Sequence, residues 1–154
     1  MQLKWLHQAQ FGGYYAADQN GYYAAEGLKV NFVEGGPTVN LEKAVLEGTA
    51  QFGVLGADTL IADRASGKPL RAIAVIYRRN PMVFMALAES GIAKPEDFAG
   101  KTIQADNGAI ILHAMLANVG ISSDQYHEVN IGSYLEPFYS GQVQVWNAFI
   151  NNEV

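Results

Sequence analysis

The residues best suited to chemistry stand where apolar runs turn into helices. Between Trp5 and Ala17 a short apolar run meets the pair Gly12-Gly13 and then a tyrosine-rich helix. Gln8 and Gln10 each donate and accept hydrogen bonds, which suits an amide or pyrimidine edge. Phe11 and Tyr14 offer flat faces on which a heteroaromatic ring can stack. Tyr14 and Tyr15 are adjacent on a helix and cannot face the same way, so one of them is expected in the core. Glu34-Gly35-Gly36 either lets backbone N–H groups approach a ligand, because glycine has no Cβ, or forms an ordinary turn. Gly56-Ala57-Asp58-Thr59 enters a helix that Asp58 is expected to cap, with a ligand contact as the sharper alternative. Beside Tyr77, Arg78 and Arg79 present guanidinium groups for bidentate pairing with a carboxylate or phosphate, or one exposed arginine and one structural brace. Asp106-Asn107-Gly108 is the equivalent strand-to-helix turn further along. Trp146, Asn147 and Asn151 stand near the end of the chain, where Trp146 suits the core equally well.

These groups bind; they do not form a catalytic constellation. His7, His113 and His127 have no metal-ligand spacing and read as structural or solvated. The chain has no cysteine, which excludes disulfides, thiolate catalysis and cysteine-based zinc sites. No Walker A sequence, no GxGxxG after a strand and no Ser/His/Asp spacing is present. No metal and no cofactor are expected. Affinity comes from burial plus a few placed polar groups.

The elements that position these turns follow from periodicity and breakers. Leu3 to Leu6 reads as a first strand, followed by a helix from Gly12 to Asn20 and a turn from Tyr22 to Glu26 closed by a left-handed Gly27. Leu28 to Val33 alternates as a second strand. Asn40 to Glu47 is helical, with Leu41, Ala44 and Val45 on one face. Gln51 to Leu55 is a third strand and Asp58 to Ala65 a helix. Leu70 to Tyr77 is a long apolar run suited to the middle of a parallel sheet, and Met82 to Leu87 is another strand. This β-α-β alternation argues for a parallel α/β layer. A second unit begins near Ala88: a proline-led turn at Lys94–Phe98, a strand from Gly100 to Ile103, a helix from Ala109 to Val119, a strand from Glu128 to Ile131, a helix from Leu135 to Tyr139 and a last strand from Gln142 to Ile150. The expected domains are 1–87 and 88–154.

With 154 residues, 49% apolar and 16% charged, the chain is long enough for a real core. A net charge of -5 gives no basic face, so nucleic acid is not an expected partner. No apolar window is long enough for a membrane span. Met1-Gln2 leads into the first strand without a signal sequence, so the expected location is periplasmic or otherwise extracytoplasmic if a signal was removed, and cytoplasmic if Met1 is native. Asn151-Asn152-Glu153-Val154 ends on an apolar run without a covering helix, the mark of a truncated chain. The exposed sheet edge predicts a homo-oligomer by strand exchange or edge pairing.

Several passages, taken in order, resemble the ABC-transporter solute-binding proteins for nitrate, sulfonate and thiamine- or flavin-type precursors. They are Trp5–Ala17; Asn20-Gly21-Tyr22-Tyr23 with Glu26-Gly27-Leu28-Lys29-Val30; Glu34-Gly35-Gly36-Pro37; Gly48–Val54; Ser90–Ile92 with Lys94–Phe98 and Gly100–Ile103; and Gly141–Val143 with Trp146 and Asn151-Asn152-Glu153. The resemblance covers nearly the whole chain, and its glutamine-containing Trp5–Tyr15 loop is most similar to the vitamin-precursor branch. It implies a type II periplasmic-binding-protein-like α/β fold, two lobes with mainly parallel sheets closing on a small organic ligand, an ABC permease as partner, and the second crossover back to lobe one missing. The loop after Ile103 is shorter than the family pattern. The same family implies an alternative, a cytosolic thiamine pyrimidine precursor synthase-like enzyme with pyridoxal phosphate on a lysine. The absent cysteine motif counts against it, as do the few lysines: Lys4 on the first strand and Lys43 in a helix, neither with an evident cofactor pocket. A third expectation is a truncated oligomeric remnant that binds no ligand.

Overall fold

The computed structural model describes residues 1–132 and 134–150, with Asn107 described by its backbone alone. The chain divides into two compact units, Met1–Ile73 and Ala74–Val154.

In the first unit three apolar runs lie side by side. Gln2 bridges Val33 on one side and Gly53 on the other, both parallel. Leu3 N–H donates to Val33 O at 2.8 Å, Gln2 N–H to Phe52 O at 2.8 Å and Val54 N–H to Gln2 O at 2.9 Å. Helices α1 (Gly12–Gln19), α2 (Tyr22–Ala25) and α3 (Leu41–Leu46) join the runs, and α4 (Ala57–Ala65) follows the third. The Asn40 side chain caps α3 by accepting the Lys43 N–H at 2.8 Å, and Gly27 takes the expected left-handed conformation at φ 70°. Leu3, Phe11, Ala50 and Leu70 are buried.

The expected strands Leu3–Leu6, Leu28–Val33 and Gln51–Leu55 contract to those single bridges. Leu6, Leu28 and Phe52 stay exposed, so side-chain burial does not extend the pairing along each run. The long run Leu70–Tyr77 corrects the expectation of a central strand. Only Leu70 is buried; Ile73 and Val75 are each 77% exposed. Among the described residues no backbone hydrogen bond ties 71–76 to a strand. Apolar sequence favours a parallel strand, but the strand forms only where neighbours supply both its edges and its covered faces.

In the second unit β1 (Met82–Met85), β2 (Thr102–Gln104), β3 (His127–Val129) and β4 (Val145–Phe149) form one sheet in the order β1-β4-β2-β3. β2 runs parallel to both neighbours, whereas β1 is antiparallel to β4, with Met82 opposite Phe149 and Met85 opposite Trp146. The division between units falls at Ile73/Ala74, ahead of 87/88, because β1 pairs with the last strand of the second unit. Between β2 and β3 runs α5 (Ala109–Asn118), and between β3 and β4 runs α6 (Glu136–Tyr139). Leu112 and Leu116, one turn apart on α5, pack with Phe98, Ile103, Ala105, Tyr126 and Val145. Successive strand residues face opposite ways, so Trp146 joins Phe138 and Val143 in a second cluster. β3 lies on one side of β2 and β4 on the other, so the winding reverses beside β2. In open α/β sheets that reversal is where ligands bind, outside the carboxyl ends of the strands.

Candidate ligand-binding site

The first unit gathers its polar groups where its parallel runs end. Gly35 N–H donates to Trp5 O at 3.0 Å. A Cβ on Gly35 would press into Leu3 O and lie 2.7 Å from the Lys4 carbonyl carbon, so only glycine permits this crossing. The turn delivers the Glu34 carboxylate to the His7 backbone N–H at 2.8 Å. The His7 ring meets the Tyr15 hydroxyl through Nδ1 at 2.6 Å. Tyr14, Tyr15 and Tyr23 all ring Phe32, with Tyr15 edge-on at 5.4 Å. Tyr14 and Tyr15 are both half-buried, in place of the expected split between core and surface. Phe11 is buried at 2% exposure and packs on Tyr14, which makes it a core residue and not an open stacking face. Gln8 and Gln10 flank it, half-buried.

At the third run Gly56 is the N-cap of α4, without a side-chain cap bond, and Asp58 sits in the first turn. The expectation that Asp58 caps the helix is corrected: it lies two residues inside, where its charge complements the helix dipole. Lys4 lies in its field. Burial holds the Lys4 amine below its ordinary pKa, and attraction to Asp58 opposes that shift.

The second unit repeats the pattern at the carboxyl end of β2. Asp106 adopts φ 25°, rare for a residue with a side chain, in the tight turn Asp106–Gly108 that opens α5. Asn130, just past β3, donates from Nδ2 to Asp106 Oδ1 at 3.2 Å. A Cβ on Gly108 would stand 3.0 Å from Met82 Sδ and 3.2 Å from Asn147 Cβ, so this turn packs closely on β1 and β4. Exposed Ile110, Ile131 and Ile150 follow the strand ends. Trp146 is 4% exposed and belongs to the core, since its place in β4 points it at Phe138. Tyr77 and Arg78 are exposed in the segment before β1. Asn151 lies outside the described residues, and of Asn107 the backbone alone is placed, within the turn.

Sequence reading passed over Lys4 as a site residue and did not single out Gln2, Gln104 or Asn130. The available signal was a glutamine embedded among apolar residues, as in Gln2-Leu3 and Ile103-Gln104-Ala105.

Both units thus carry glycine-built turns and polar groups at strand carboxyl ends, with aromatic rings in the first. Residues 8–154 match the family described as NMT1/THI5 like. The chain belongs to the NMT1/THI5-like family. Among its relatives, the riboflavin-binding protein RibY of Chloroflexus aurantiacus is 31% identical over 108 residues, 66% of this chain and 29% of that protein. The 4-amino-5-hydroxymethyl-2-methylpyrimidine phosphate synthase of Legionella pneumophila is 27% identical over 97% of this chain and 48% of its own length. The formylaminopyrimidine-binding protein of Halalkalibacterium halodurans is 27% identical over 98% of this chain and 47% of its own. The chain therefore spans about half the length, or less, of the curated relatives it matches. Two solved structures share the fold. They are the periplasmic aliphatic sulphonate-binding protein SsuA of Escherichia coli (TM-score 0.72, 16% identity, 97% of this chain and 50% of that one) and the alkanesulfonate-binding SsuA of Xanthomonas axonopodis bound to MOPS (TM-score 0.69, 19% identity, 97% and 54%). The α/β architecture of the periplasmic binding proteins is the fold of this chain over the shared length.

Proposed function

We propose that this chain binds a small heteroaromatic molecule of the vitamin-precursor kind, without turnover, as part of the receptor of an ABC importer working outside the cytoplasm. The observation that carries this reading is that each unit has a polar rim at strand carboxyl ends, one built on the Gly35 turn with its Glu34–His7 bond and one on the Asp106–Gly108 turn. The family, and relatives named for riboflavin and formylaminopyrimidine, support it. The permease is the partner this function requires. Copies of the chain associate through the apolar segment 72–76, whose Ile73, Val75 and Ile76 are exposed.

A thermal-shift panel of riboflavin, formylaminopyrimidine, an alkanesulfonate and pyridoxal phosphate tests the reading. A ligand at one hundred times its Kd stabilises the folded chain by about 2.7 kcal/mol, a rise of several degrees. A heteroaromatic hit is expected; a response to the alkanesulfonate alone, or to nothing, overturns the proposal.

One observation favours a second reading, an enzyme of the synthase kind. A lysine with a lowered pKa is the amine that pyridoxal phosphate needs, and Lys4 is such a residue. Lys43 is exposed on α3 and paired with Glu47 at 3.7 Å. Pyridoxal phosphate attached to Lys4, trapped by borohydride and located by mass spectrometry, would establish this reading; an unlabelled Lys4 removes it.

A further inference from the structure

Beneath each rim lies a glutamine that packing alone does not explain. Gln2 is 4% exposed on the central run of the first unit, and Gln104 is 1% exposed at the end of β2. Each sits on a strand flanked by two parallel neighbours. Among the described residues the other buried polar side chain is Asp63, which pairs with Lys68. A buried amide costs free energy unless its donors and acceptor are satisfied, and a leucine would fill similar volume without that cost.

Both amides hydrogen-bond to backbone where the neighbouring run leaves its pairing. Gln2 Nε2 donates to Val33 O at 3.3 Å and Glu34 O at 3.1 Å, with Leu3 O at 3.2 Å. Gln104 Oε1 accepts the Ile131 N–H at 2.9 Å, and its Nε2 donates to Gly132 O at 3.3 Å. In the second unit the last ladder bond toward β3 is Ala105 N–H to Val129 O at 3.3 Å. Beyond it the side chain of Gln104 takes over, adding a rung where the strands have parted. The loops held this way carry the groups of the rims: Glu34, which accepts from His7, and Asn130, which donates to Asp106.

We propose that Gln2 and Gln104 are positioning residues: neither touches ligand, and each fixes the rim loop of its unit, 34–36 and 130–132, in the geometry that ligand binding needs. The proposal rests on the binding reading above. It predicts that an apolar replacement costs affinity and little stability, because the freed Ile131 N–H lies in an exposed loop where water replaces the lost partner.

The test uses the full chain with Gln104→Met and Gln2→Met. Riboflavin is the probe, read by quenching of its fluorescence, alongside Tm and amide exchange at Ile131 and at Leu112 in the core. The expected result is about a tenfold weaker riboflavin complex for each Met variant, the scale on which outer supports of a site act. Tm should be close to that of the parent, with exchange accelerated at Ile131 and unchanged at Leu112. A lower Tm with riboflavin affinity retained makes the glutamines structural and overturns the proposal. If the parent chain binds no riboflavin, the binding reading fails for that probe and exchange decides alone: slow Ile131 exchange in Gln104→Met overturns the positioning role, and selective acceleration supports it.

Discussion

Gly35, Lys4 and Tyr14 show how one side chain, or its absence, sets local behaviour. Gly35 allows the turn after the second run to lie against Leu3 and Lys4. Gly35→Ala forces backbone apart and is expected to destabilise by about 1–3 kcal/mol, read from urea midpoints. Lys4 titrates below its ordinary value because burial disfavours its charge. Between that lowered value and the ordinary lysine range the unfolded chain binds more protons, so stability rises with pH through this window. The Lys4→Met variant should lose that rise, and alkaline urea titrations of both proteins check it. Tyr14 is half-buried between Phe11 and Phe32. If its ring stacks on ligand, Tyr14→Leu weakens a heteroaromatic complex by about tenfold, the worth of one aromatic contact; equal affinity in titration calorimetry would remove Tyr14 from the site.

At the scale of elements, caps and turns follow local chemistry closely. The turn Pro95–Phe98 forms where Lys94-Pro95-Glu96-Asp97 predicts it. Its Asp97 carboxylate accepts the Ala93 N–H at 3.0 Å and the Lys94 N–H at 3.1 Å, which hold its pKa below the ordinary carboxylate range. A depressed carboxylate stabilises above its unfolded pKa, and that contribution is lost as pH falls through the folded value. Asp97→Ala should therefore lower the urea midpoint at neutral pH, and the difference should vanish in strong acid. Asn40 caps α3 in the same local manner, and Asn40→Ala is expected to cost about 1 kcal/mol. The Gly56–Asp58 turn shows where local reading slips: several nearby residue types can serve as cap, and the geometry selected Gly56.

For the whole molecule the informative feature is the apolar segment left without strand partners. Ile73, Val75 and Ile76 are exposed although their sequence is that of a buried strand. Edge pairing between copies predicts an oligomer in light scattering at micromolar concentration, and Ile73→Lys with Val75→Lys should shift the chain toward monomer. A monomeric parent would end this account of the segment. The two units are each α/β, and within each the candidate groups stand at strand carboxyl ends, so each rim follows from strand direction more than from any one residue.

Sequence alone determined what depends on neighbours along the chain. Helices α1, α3, α4 and α5, the left-handed Gly27 and the proline-led turn were legible because caps, breakers and the 3.6-residue period act over a few residues. The family was legible too, since its passages keep their order, and so were the turns at Glu34–Gly36 and Asp106–Gly108. Only tertiary structure decided pairing and burial. It set β1 antiparallel to β4, turned Phe11 and Trp146 inward, and placed Lys4 in the field of Asp58. It left residues 71–76 outside any strand, and it gave Gln2 and Gln104 their loops to hold. Each of these outcomes depends on residues far apart in the chain, whose meeting is fixed by which faces and edges find partners and not by the local pattern of either segment.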